Sequence, residues 1–298
     1  MKIHSWLKAA RLRTLPLSLS GIVLGSFIAY QQGFWNNWIF LLSLLTTLFL
    51  QVLSNFANDL GDSYKGADNA ERVGPVRAIQ SGEISQKEML GGVILMSILS
   101  LIVAVPLILI GVKGMPSSVL WIYVILAILC IIAAITYTLG KKAYGYYGLG
   151  DVMVFAFFGL VSVLGVYSLY AKQFDWSLIG YACTIGLLSV AVLNLNNMRD
   201  HENDKKVGKN TLVVKIGFKK AKIYHALLII IAFLGFLWST SINEWWLHLL
   251  ALLPFIVLII HLVKVLNTKE PKELDHEMKK VALSTFAIAI LFVILTLI

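Results

Sequence analysis

Charged residues are scarce in this chain. Of its 298 residues only 14% are Asp, Glu, Lys or Arg, 58% are hydrophobic, and the mean hydropathy is +0.81. Soluble domains carry about a quarter charged residues, so this composition excludes a soluble globular protein. We therefore predict an integral membrane protein.

Cysteine is almost absent as well. The two thiols, Cys130 and Cys183, each lie inside an apolar run and lack the C-x-x-C spacing of a thiolate site. A disulfide framework and a thiolate-bound metal are therefore excluded. We interpret both side chains as small core residues.

Long apolar segments make up most of the chain. A helix of about 20 apolar residues crosses the hydrocarbon layer of a bilayer, and isolated strands cannot satisfy their backbone groups in lipid. The pattern predicts an all-α polytopic fold of nine transmembrane helices, with no room for a separate soluble domain, so residues 1–298 form one transmembrane domain. The predicted spans are 14–31, 38–57, 89–112, 117–139, 149–170, 177–197, 223–242, 245–266 and 281–298.

The distribution of basic residues predicts the orientation. Of the 25 Lys and Arg residues, 23 precede the first span or follow an even-numbered one, and only Lys113 and Lys172 lie on the other side. By the positive-inside rule the N-terminus is cytoplasmic and the C-terminus outside. Topology thus accounts for the net charge of +9, and we predict the lipid bilayer, not nucleic acid, as partner.

The first residues resemble a signal peptide in that basic residues precede an apolar stretch, but we interpret them as part of an uncleaved first span. Residues 3–10 place apolar side chains at i, i+3, i+4 and i+7, opposite Lys8 and Arg11. This spacing predicts a short helix lying on the cytoplasmic interface before an uncleaved first span.

Acidic residues are nearly missing from the outer side, where only Asp175 and Glu244 of 16 are expected. The others concentrate in two predicted loops, SNFANDLGDSYKGADNAERVGPVRAIQSGE after the second span and NLNNMRDHENDKKVGKNTLVVKIG after the sixth. Each contains Asn residues, two aspartates at helical spacing and a Lys-Gly or Gly-Lys pair. Four spans separate the two segments, so both leave the membrane in the same direction, which indicates two parallel pseudo-repeats.

Helical spacing gives the polar residues of each segment a common direction. Gln51, Asn55 and Asp59 are four apart, and so are Asn196, Asp200 and Asp204, with Asn197 beside them. An ion at the bilayer centre costs roughly 2.5 to 3.5 kcal/mol and rarely faces lipid. We expect the two stripes to face each other across a central cavity open to the cytoplasmic side.

Four converging aspartates require cations. Mg²⁺ prefers oxygen ligands and is commonly bound through one or two carboxylates plus substrate phosphate oxygens, so two Asp pairs suit a diphosphate held between two Mg²⁺ ions. A hydrocarbon tail would fit between the helices, which makes polyprenyl diphosphate the candidate substrate. The cations that could bind phosphate oxygens are Lys65, Arg72, Arg77, Lys141, Arg199 and Lys209.

At this point the residues resemble a known family, the UbiA-type intramembrane aromatic prenyltransferases. The family's Asn-Asp-x-x-Asp motif matches Asn58, Asp59 and Asp62, and its Asp-x-x-x-Asp motif matches Asp200 and Asp204. Its Tyr-x-x-x-Lys element is similar to YTLGK, which contains Tyr137 and Lys141, and its early arginine corresponds to Arg13.

One departure from the family pattern indicates a branch. A third aspartate common in the family is replaced by Gly66, and KGAD supplies Lys65 and Asp68 instead. DLGDSYKGAD, GPVRAIQSG, YYGLGD and NNMRDHENDKKVGKNTL resemble the members that prenylate 1,4-dihydroxy-2-naphthoate in menaquinone biosynthesis. The resemblance implies a prenyltransferase of the bacterial inner membrane that forms demethylmenaquinol with loss of diphosphate and carbon dioxide.

The resemblance implies a role for each candidate residue. Metal ligands are Asn58, Asp59, Asp62, Asn197, Asp200 and Asp204. Contacts to diphosphate come from Arg13, Lys65, Lys141, Arg199 and Lys209, and contacts to the aromatic acceptor from Asp68, Arg72, Arg77 and Tyr137. Lys65 and Tyr137 join the four aspartates as catalytic residues.

Two alternatives stay open on sequence alone. A prenyltransferase of the same family could use another acceptor, such as 4-hydroxybenzoate. A secondary transporter could use the acidic residues to bind ions, but it would place polar or broken segments near the bilayer midplane, whereas these lie at span ends.

Overall fold

The computed structural model describes residues 2–69 and 72–298, and within those residues it contains helices and no strands. A short helix α1 (Lys2–Ala10) precedes the long helices. The others are α2 (Leu15–Gln31), α3 (Asn37–Tyr64), α4 (Gln86–Gly111), α5 (Ser117–Thr136), α6 (Gly150–Ala171), α7 (Ile179–Lys206), α8 (Leu212–Ile216), α9 (Phe218–Ile242), α10 (Phe255–Asn267) and α11 (Leu274–Leu297).

Nine segments of the described chain are long and apolar enough to cross a membrane, which confirms the predicted number. The first includes both α1 and α2, and the eighth includes the 3₁₀ turns of Trp246–Leu252 before α10. Many large apolar side chains on α4, α5, α9 and α10 are exposed, as expected of helices that face lipid.

Two helices extend well beyond their apolar segments. Helix α3 continues to Tyr64 and α7 to Lys206, so both acidic segments begin inside helices. The predicted ends of the second and sixth spans, residues 57 and 197, are therefore too early, and the aspartates assigned to the following loops continue the helices, as their helical spacing indicated. A helix satisfies its own backbone groups, so it can continue past the lipid when its side chains find polar partners.

Small residues allow the helices to pack closely around α7. A Cβ atom on Gly180 of α7 would lie 2.0 Å from the backbone oxygen of Gly235 of α9, and one on Gly159 of α6 would lie 2.6 Å from the backbone oxygen of Ala182. Close approach through small residues is common where membrane helices associate. Helix α7, the most buried of the nine spans, therefore has α6 and α9 in direct backbone contact.

Helix α6 has wider turns than the rest. Its central part, Phe155–Gly165, is a π-helix, flanked by α-helical turns at both ends. Such turns occur mainly as local features, often near functional sites. Several side chains of this stretch line the cavity described below.

Candidate active site

The first acidic cluster lies in the last turns of α3. Asp59 is 1% exposed, and its carboxylate accepts hydrogen bonds from Arg77 at 2.9 Å and from Arg11. Gly61 lies between the two aspartates of this cluster. A Cβ atom at this position would lie 2.5 Å from the hydroxyl of Thr138, on the segment after α5, so only glycine fits here without a shift. Close packing at Gly61 therefore brings the residues after α5 against the cluster.

The stripe of Gln51, Asn55 and Asp59 contacts the N-terminal segment. Gln51 donates a hydrogen bond to the Thr14 hydroxyl at 3.2 Å, and Asn55 donates one to the backbone oxygen of Ala10 at 2.8 Å. The stripe also lines the cavity that Asn196 of the second stripe lines, in agreement with the expectation that the two stripes share a central cavity. Its amides in addition hold the chain between α1 and α2, since that segment leaves backbone oxygens unpaired at the end of α1.

That segment brings Arg11 into the site. Arg11 has a left-handed backbone conformation, with φ 50° and ψ 55°, which turns the chain between α1 and the following 3₁₀ turn. We expected Arg11 on the polar face of α1, but its guanidinium contacts Asp59. Arg13, the arginine singled out by resemblance, is exposed and lines the cavity without an ion pair to Asp59.

Asp62 connects the two acidic clusters. Its carboxylate accepts a hydrogen bond from the hydroxyl of Tyr146 at 2.9 Å and lies 3.7 Å from Nζ of Lys209. The same Nζ lies 3.9 Å from the carboxylate of Asp204, near the end of α7. Burial opposes the charge of Lys209, but Asp62 and Asp204 outweigh it and raise the pKa of this lysine, which stays protonated between them.

Asp200 is paired within the second cluster. Arg199 is 2% exposed and donates to Asp200 from Nε at 2.9 Å and from Nη2 at 2.6 Å. Its Nη1 donates at 2.5 Å to Asp275, in the first turn of α11. Sequence reasoning did not find Asp275, because no spacing relates it to either motif.

A second ion-pair group lies on the connection between α3 and α4. The side chain of Asp68 is 2% exposed, 3.4 Å from Nε of Arg72 and 3.6 Å from Nε of Arg77. Burial and the neighbouring Asp62 raise the pKa of Asp68 to about 7, although Arg72 opposes this. Both carboxylate oxygens are buried without a hydrogen-bond donor.

Three further predicted residues have different surroundings. Tyr137 directly follows α5 and lines the cavity, and burial raises its pKa to about 12, so it remains a protonated phenol. Nζ of Lys65 lies 3.9 Å from the ring centroid of Tyr146, and burial lowers its pKa. Lys141 is exposed and does not line the cavity.

The oxygen-rich groups fit magnesium in chemical type. Asn58 lines the cavity, and Oδ1 of Asn197 is buried without a hydrogen-bond partner, so it remains free to accept. Within residues 2–69 and 72–298, no three carboxylate, His or Cys side chains converge on a single metal position. Each carboxylate is instead paired with an arginine or a lysine, and binding a metal requires those cations to be released.

The ion pairs and the ring contact of the described site involve six carboxylates and six cations. Arg13 and Lys279 line the same cavity and add positive charge to it. The carboxylates belong to Asp59, Asp62, Asp68, Asp200, Asp204 and Asp275, and the cations to Arg11, Lys65, Arg72, Arg77, Arg199 and Lys209.

The polar site continues into a cavity of about 1120 Å³. Along α3 the cavity reaches from Asp62 to Ser43, which is about 28 Å of helix at 1.5 Å per residue. That length is comparable to the hydrocarbon thickness of a bilayer. The walls away from the ion pairs are mainly apolar and include Ala104, Leu107, Ile108, Leu126, Phe157, Val161 and Leu169.

These features define a class of protein, an intramembrane enzyme whose substrate has an anionic head and a long hydrocarbon tail. The chain belongs to the UbiA prenyltransferase family, whose model matches residues 18–296. The resemblance expected from the motifs is thereby confirmed.

Curated relatives cover most of the chain. A protein of Haemophilus influenzae named 1,4-dihydroxy-2-naphthoate octaprenyltransferase is 45% identical over 98% of this chain and 95% of its own length. A protein of the same name from Escherichia coli is 43% identical over 76% of this chain and 73% of its own.

Solved structures share the fold. A UbiA homolog from Archaeoglobus fulgidus bound to DMAPP and Mg²⁺ has a TM-score of 0.62 and 17% identity, with 97% of this chain and 99% of that chain covered. A UbiA homolog from Aeropyrum pernix K1 has a TM-score of 0.66 and 16% identity, with 95% and 96% covered. At these identities the comparison establishes the fold alone.

Proposed function

We propose that this protein transfers a polyprenyl group from polyprenyl diphosphate to 1,4-dihydroxy-2-naphthoate, with release of diphosphate and carbon dioxide, to give demethylmenaquinol. The observation that carries the proposal is the identity of 45% over nearly the whole chain to a 1,4-dihydroxy-2-naphthoate octaprenyltransferase. Its family is one of prenyltransferases, which favours an enzyme over the transporter alternative.

Magnesium is proposed to bind at the junction of the two acidic clusters. Asp59, Asp62, Asp200 and Asp204, with Asn58 and Asn197, are the residues that would hold it, and two ions would suit the two carboxylate pairs. The UbiA homolog structure bound to DMAPP and Mg²⁺ supports magnesium dependence in general. When bound, magnesium supplies Lewis-acid stabilisation of the charge that develops on the leaving diphosphate.

The chain's own cations complete the proposed diphosphate site. Lys209 lies between both clusters, and Arg11 and Arg77 both contact Asp59, so all three are close enough to turn toward phosphate oxygens once their carboxylates bind metal. Lys65, whose Nζ lies over the ring of Tyr146, is a further proposed diphosphate ligand, and so is Arg13, which lines the cavity. Arg199 is saturated by Asp200, Asp275 and Asn196, whereas Lys141 lies outside the cavity, so these two have the least support as diphosphate ligands.

The apolar part of the cavity has two proposed tasks. It accommodates the polyprenyl tail, since its walls run for about 28 Å along α3. It also keeps water away from the allylic cation that remains when the C–O bond to diphosphate breaks.

The aromatic acceptor is proposed to bind near Asp68, Arg72, Arg77 and Tyr137. A guanidinium can hold the naphthoate carboxylate through two parallel hydrogen bonds. The ring attacks the allylic cation through the carbon that bears the carboxylate. The electrons of the carbon–carboxylate bond then restore the aromatic ring as carbon dioxide leaves, so no ring proton has to be removed by a base.

The orientation is also part of the proposal. The Lys and Arg residues concentrate at the end of the molecule that contains the acidic clusters, which supports a cavity open to the cytoplasm, a cytoplasmic N-terminus and an outer C-terminus.

The test is an acceptor assay on membranes that contain the full chain. With Mg²⁺ and octaprenyl diphosphate, we expect prenylation of 1,4-dihydroxy-2-naphthoate and release of carbon dioxide. Turnover of 4-hydroxybenzoate without turnover of dihydroxynaphthoate would reject the proposed acceptor. Asp62→Asn should abolish activity, while Glu202→Gln, an exposed acid on the same helix as Asp200 and Asp204, should leave it unchanged.

A further inference from the structure

The first turn of α11 carries an acidic residue that neither motif includes. The Asp275 side chain is 36% exposed and lines the same cavity as Asp59 and Asp62. It lies 76 residues from Arg199 in sequence, yet its carboxylate accepts a hydrogen bond from Nη1 of Arg199 at 2.5 Å. The last span of the described chain therefore contributes directly to the polar end of the cavity.

Arg199 is shared between two carboxylates. Nε and Nη2 contact Asp200 at 2.9 and 2.6 Å, Nη1 contacts Asp275, and Nη2 also donates to the side-chain oxygen of Asn196 at 2.9 Å. Asp200 also lies 4.0 Å from Nη2 of Arg72, so the charges of Asp200 and Asp275 together balance those of Arg199 and Arg72. Without Asp275 this group would carry a net charge of +1, and it would attract a divalent cation less strongly.

The turn that holds Asp275 is anchored on its other side. Glu277 is fully buried and accepts hydrogen bonds from Lys280 at 2.8 Å and from Nδ1 of His261, on α10, at 2.7 Å. Nε2 of His261 in turn lies 2.8 Å from Nε2 of His225, on α9. This network ties α9, α10 and α11 together and fixes the position of the turn.

We propose that Asp275 is a positioning residue of the second acidic cluster, which shares Arg199 with Asp200 and thereby keeps Asp200 negatively charged toward magnesium diphosphate. The inference rests on the proposed magnesium–diphosphate site. Asp275 acts through Arg199, so its effect is electrostatic and is transmitted by one guanidinium.

Binding of inorganic pyrophosphate with Mg²⁺ tests this in the absence of turnover. The full-length protein in detergent is titrated with Mg²⁺ at a fixed excess of pyrophosphate, and the half-saturating Mg²⁺ concentration is read from the rise in melting temperature. Loss of one charge near a divalent cation is worth about tenfold in affinity, so Asp275→Asn should require about tenfold more Mg²⁺. Asp275→Ser also removes the charge, so it should require a similar increase in Mg²⁺ concentration.

Two controls separate charge from packing. Asp275→Glu keeps the charge and should bind Mg²⁺ like the wild type, and Glu273→Gln removes an exposed charge from the residue next to α11 and should have no effect. In turnover assays, the loss of activity in Asp275→Asn should become smaller as the Mg²⁺ concentration is raised, because the variant keeps all proposed metal ligands and only binds Mg²⁺ more weakly. A purely structural role would lower kcat at every Mg²⁺ concentration.

The outcomes distinguish the two proposals. If the wild type is not stabilised by Mg²⁺ and pyrophosphate, the proposed metal–diphosphate site fails. If the wild type is stabilised and Asp275→Asn needs no more Mg²⁺, or if Asp275→Glu shifts as far as Asp275→Asn, the role of Asp275 is refuted while the proposed function stands.

Discussion

At the scale of single residues, the two aspartates of the first motif have different partners. Asp59 is held by the guanidinium groups of Arg11 and Arg77, whereas Asp62 accepts from Tyr146 and lies beside Lys209. Asp59 thus connects α3 to the N-terminal segment, and Asp62 connects it to the end of α7. One motif on one helix therefore joins three parts of the chain.

Asp68 should make stability depend on pH. Its pKa is raised to about 7 by burial, so between about pH 4 and pH 7 the folded protein retains a proton that the unfolded chain has released. The free energy of unfolding therefore falls as the pH rises from about 4 to about 7, and it keeps this lower contribution above pH 7. We expect the melting temperature of the wild type to fall more steeply over this range than that of Asp68→Asn.

The measurement is a series of melting curves in detergent at one scan rate. Glu202→Gln changes an exposed acid of α7 and should follow the wild-type pH profile. Parallel profiles for Asp68→Asn and the wild type would show that Asp68 titrates normally.

Several site residues could be predicted from sequence because they belong to short motifs. Asp59, Asp62, Asp200 and Asp204 have helical spacing, and their negative charges require nearby cations. The structure places one aspartate of each pair, Asp62 and Asp204, 3.7 and 3.9 Å from Nζ of Lys209. Arg11 could not be assigned, because its direction depends on a left-handed kink that the sequence does not mark.

At the scale of elements, the number of spans and most of their ends were predictable, whereas the helix ends that carry charged residues were not. Hydropathy identifies where lipid begins, so it set the end of the second span near residue 57, while α3 continues to Tyr64. The extra turns are stabilised by the polar partners of Asp59 and Asp62, which come from distant parts of the chain. The two parallel pseudo-repeats stay a prediction.

Close packing of α7 against α9 gives an element-scale prediction. A methyl group at position 180 would lie 2.0 Å from the backbone oxygen of Gly235, so the helices would have to separate. We expect Gly180→Ala to destabilise the protein by about 1 to 3 kcal/mol, which is the usual cost of overpacking. The site is remote from this contact, so activity at low temperature should be retained.

A helix glycine on α4 provides the matched control. Nothing lies within 4 Å of a Cβ placed on Gly91, so Gly91→Ala should be neutral or stabilise by up to about 1 kcal/mol. Thermal unfolding of both variants in detergent compares them directly. Equal stabilities would mean that α7 and α9 can move apart without cost.

At the scale of the whole molecule, the cavity relates the ion pairs to the apolar core. It begins among residues from both acidic clusters and ends between α4, α5 and α6. Its volume and course depend on how nearly identical apolar side chains pack, so the sequence could predict that a tail site exists but not where it runs.

A large side chain at the apolar end of the cavity should lower turnover of long-tailed donors more than turnover of short-tailed ones. Ala104 of α4 is 5% exposed and lines the cavity, and Ala104→Trp would place an indole there. We expect kcat/KM for octaprenyl diphosphate to fall about tenfold or more, as overpacking predicts, while a short donor such as geranyl diphosphate is affected much less.

Leu109→Trp is the control, since Leu109 is exposed on the same helix and does not line the cavity. Initial rates with the two donors give the comparison. An equal loss for both donors in Ala104→Trp would place the tail elsewhere.

The ion pair between Arg199 and Asp275 has a consequence for biogenesis. The ribosome makes Arg199 long before Asp275, and the two can meet only when the last span has entered the membrane beside α7. A nascent chain that stops short of α11 leaves the buried guanidinium of Arg199 with Asp200 but without Asp275. The polar end of the cavity is therefore completed last, when α11 is in place.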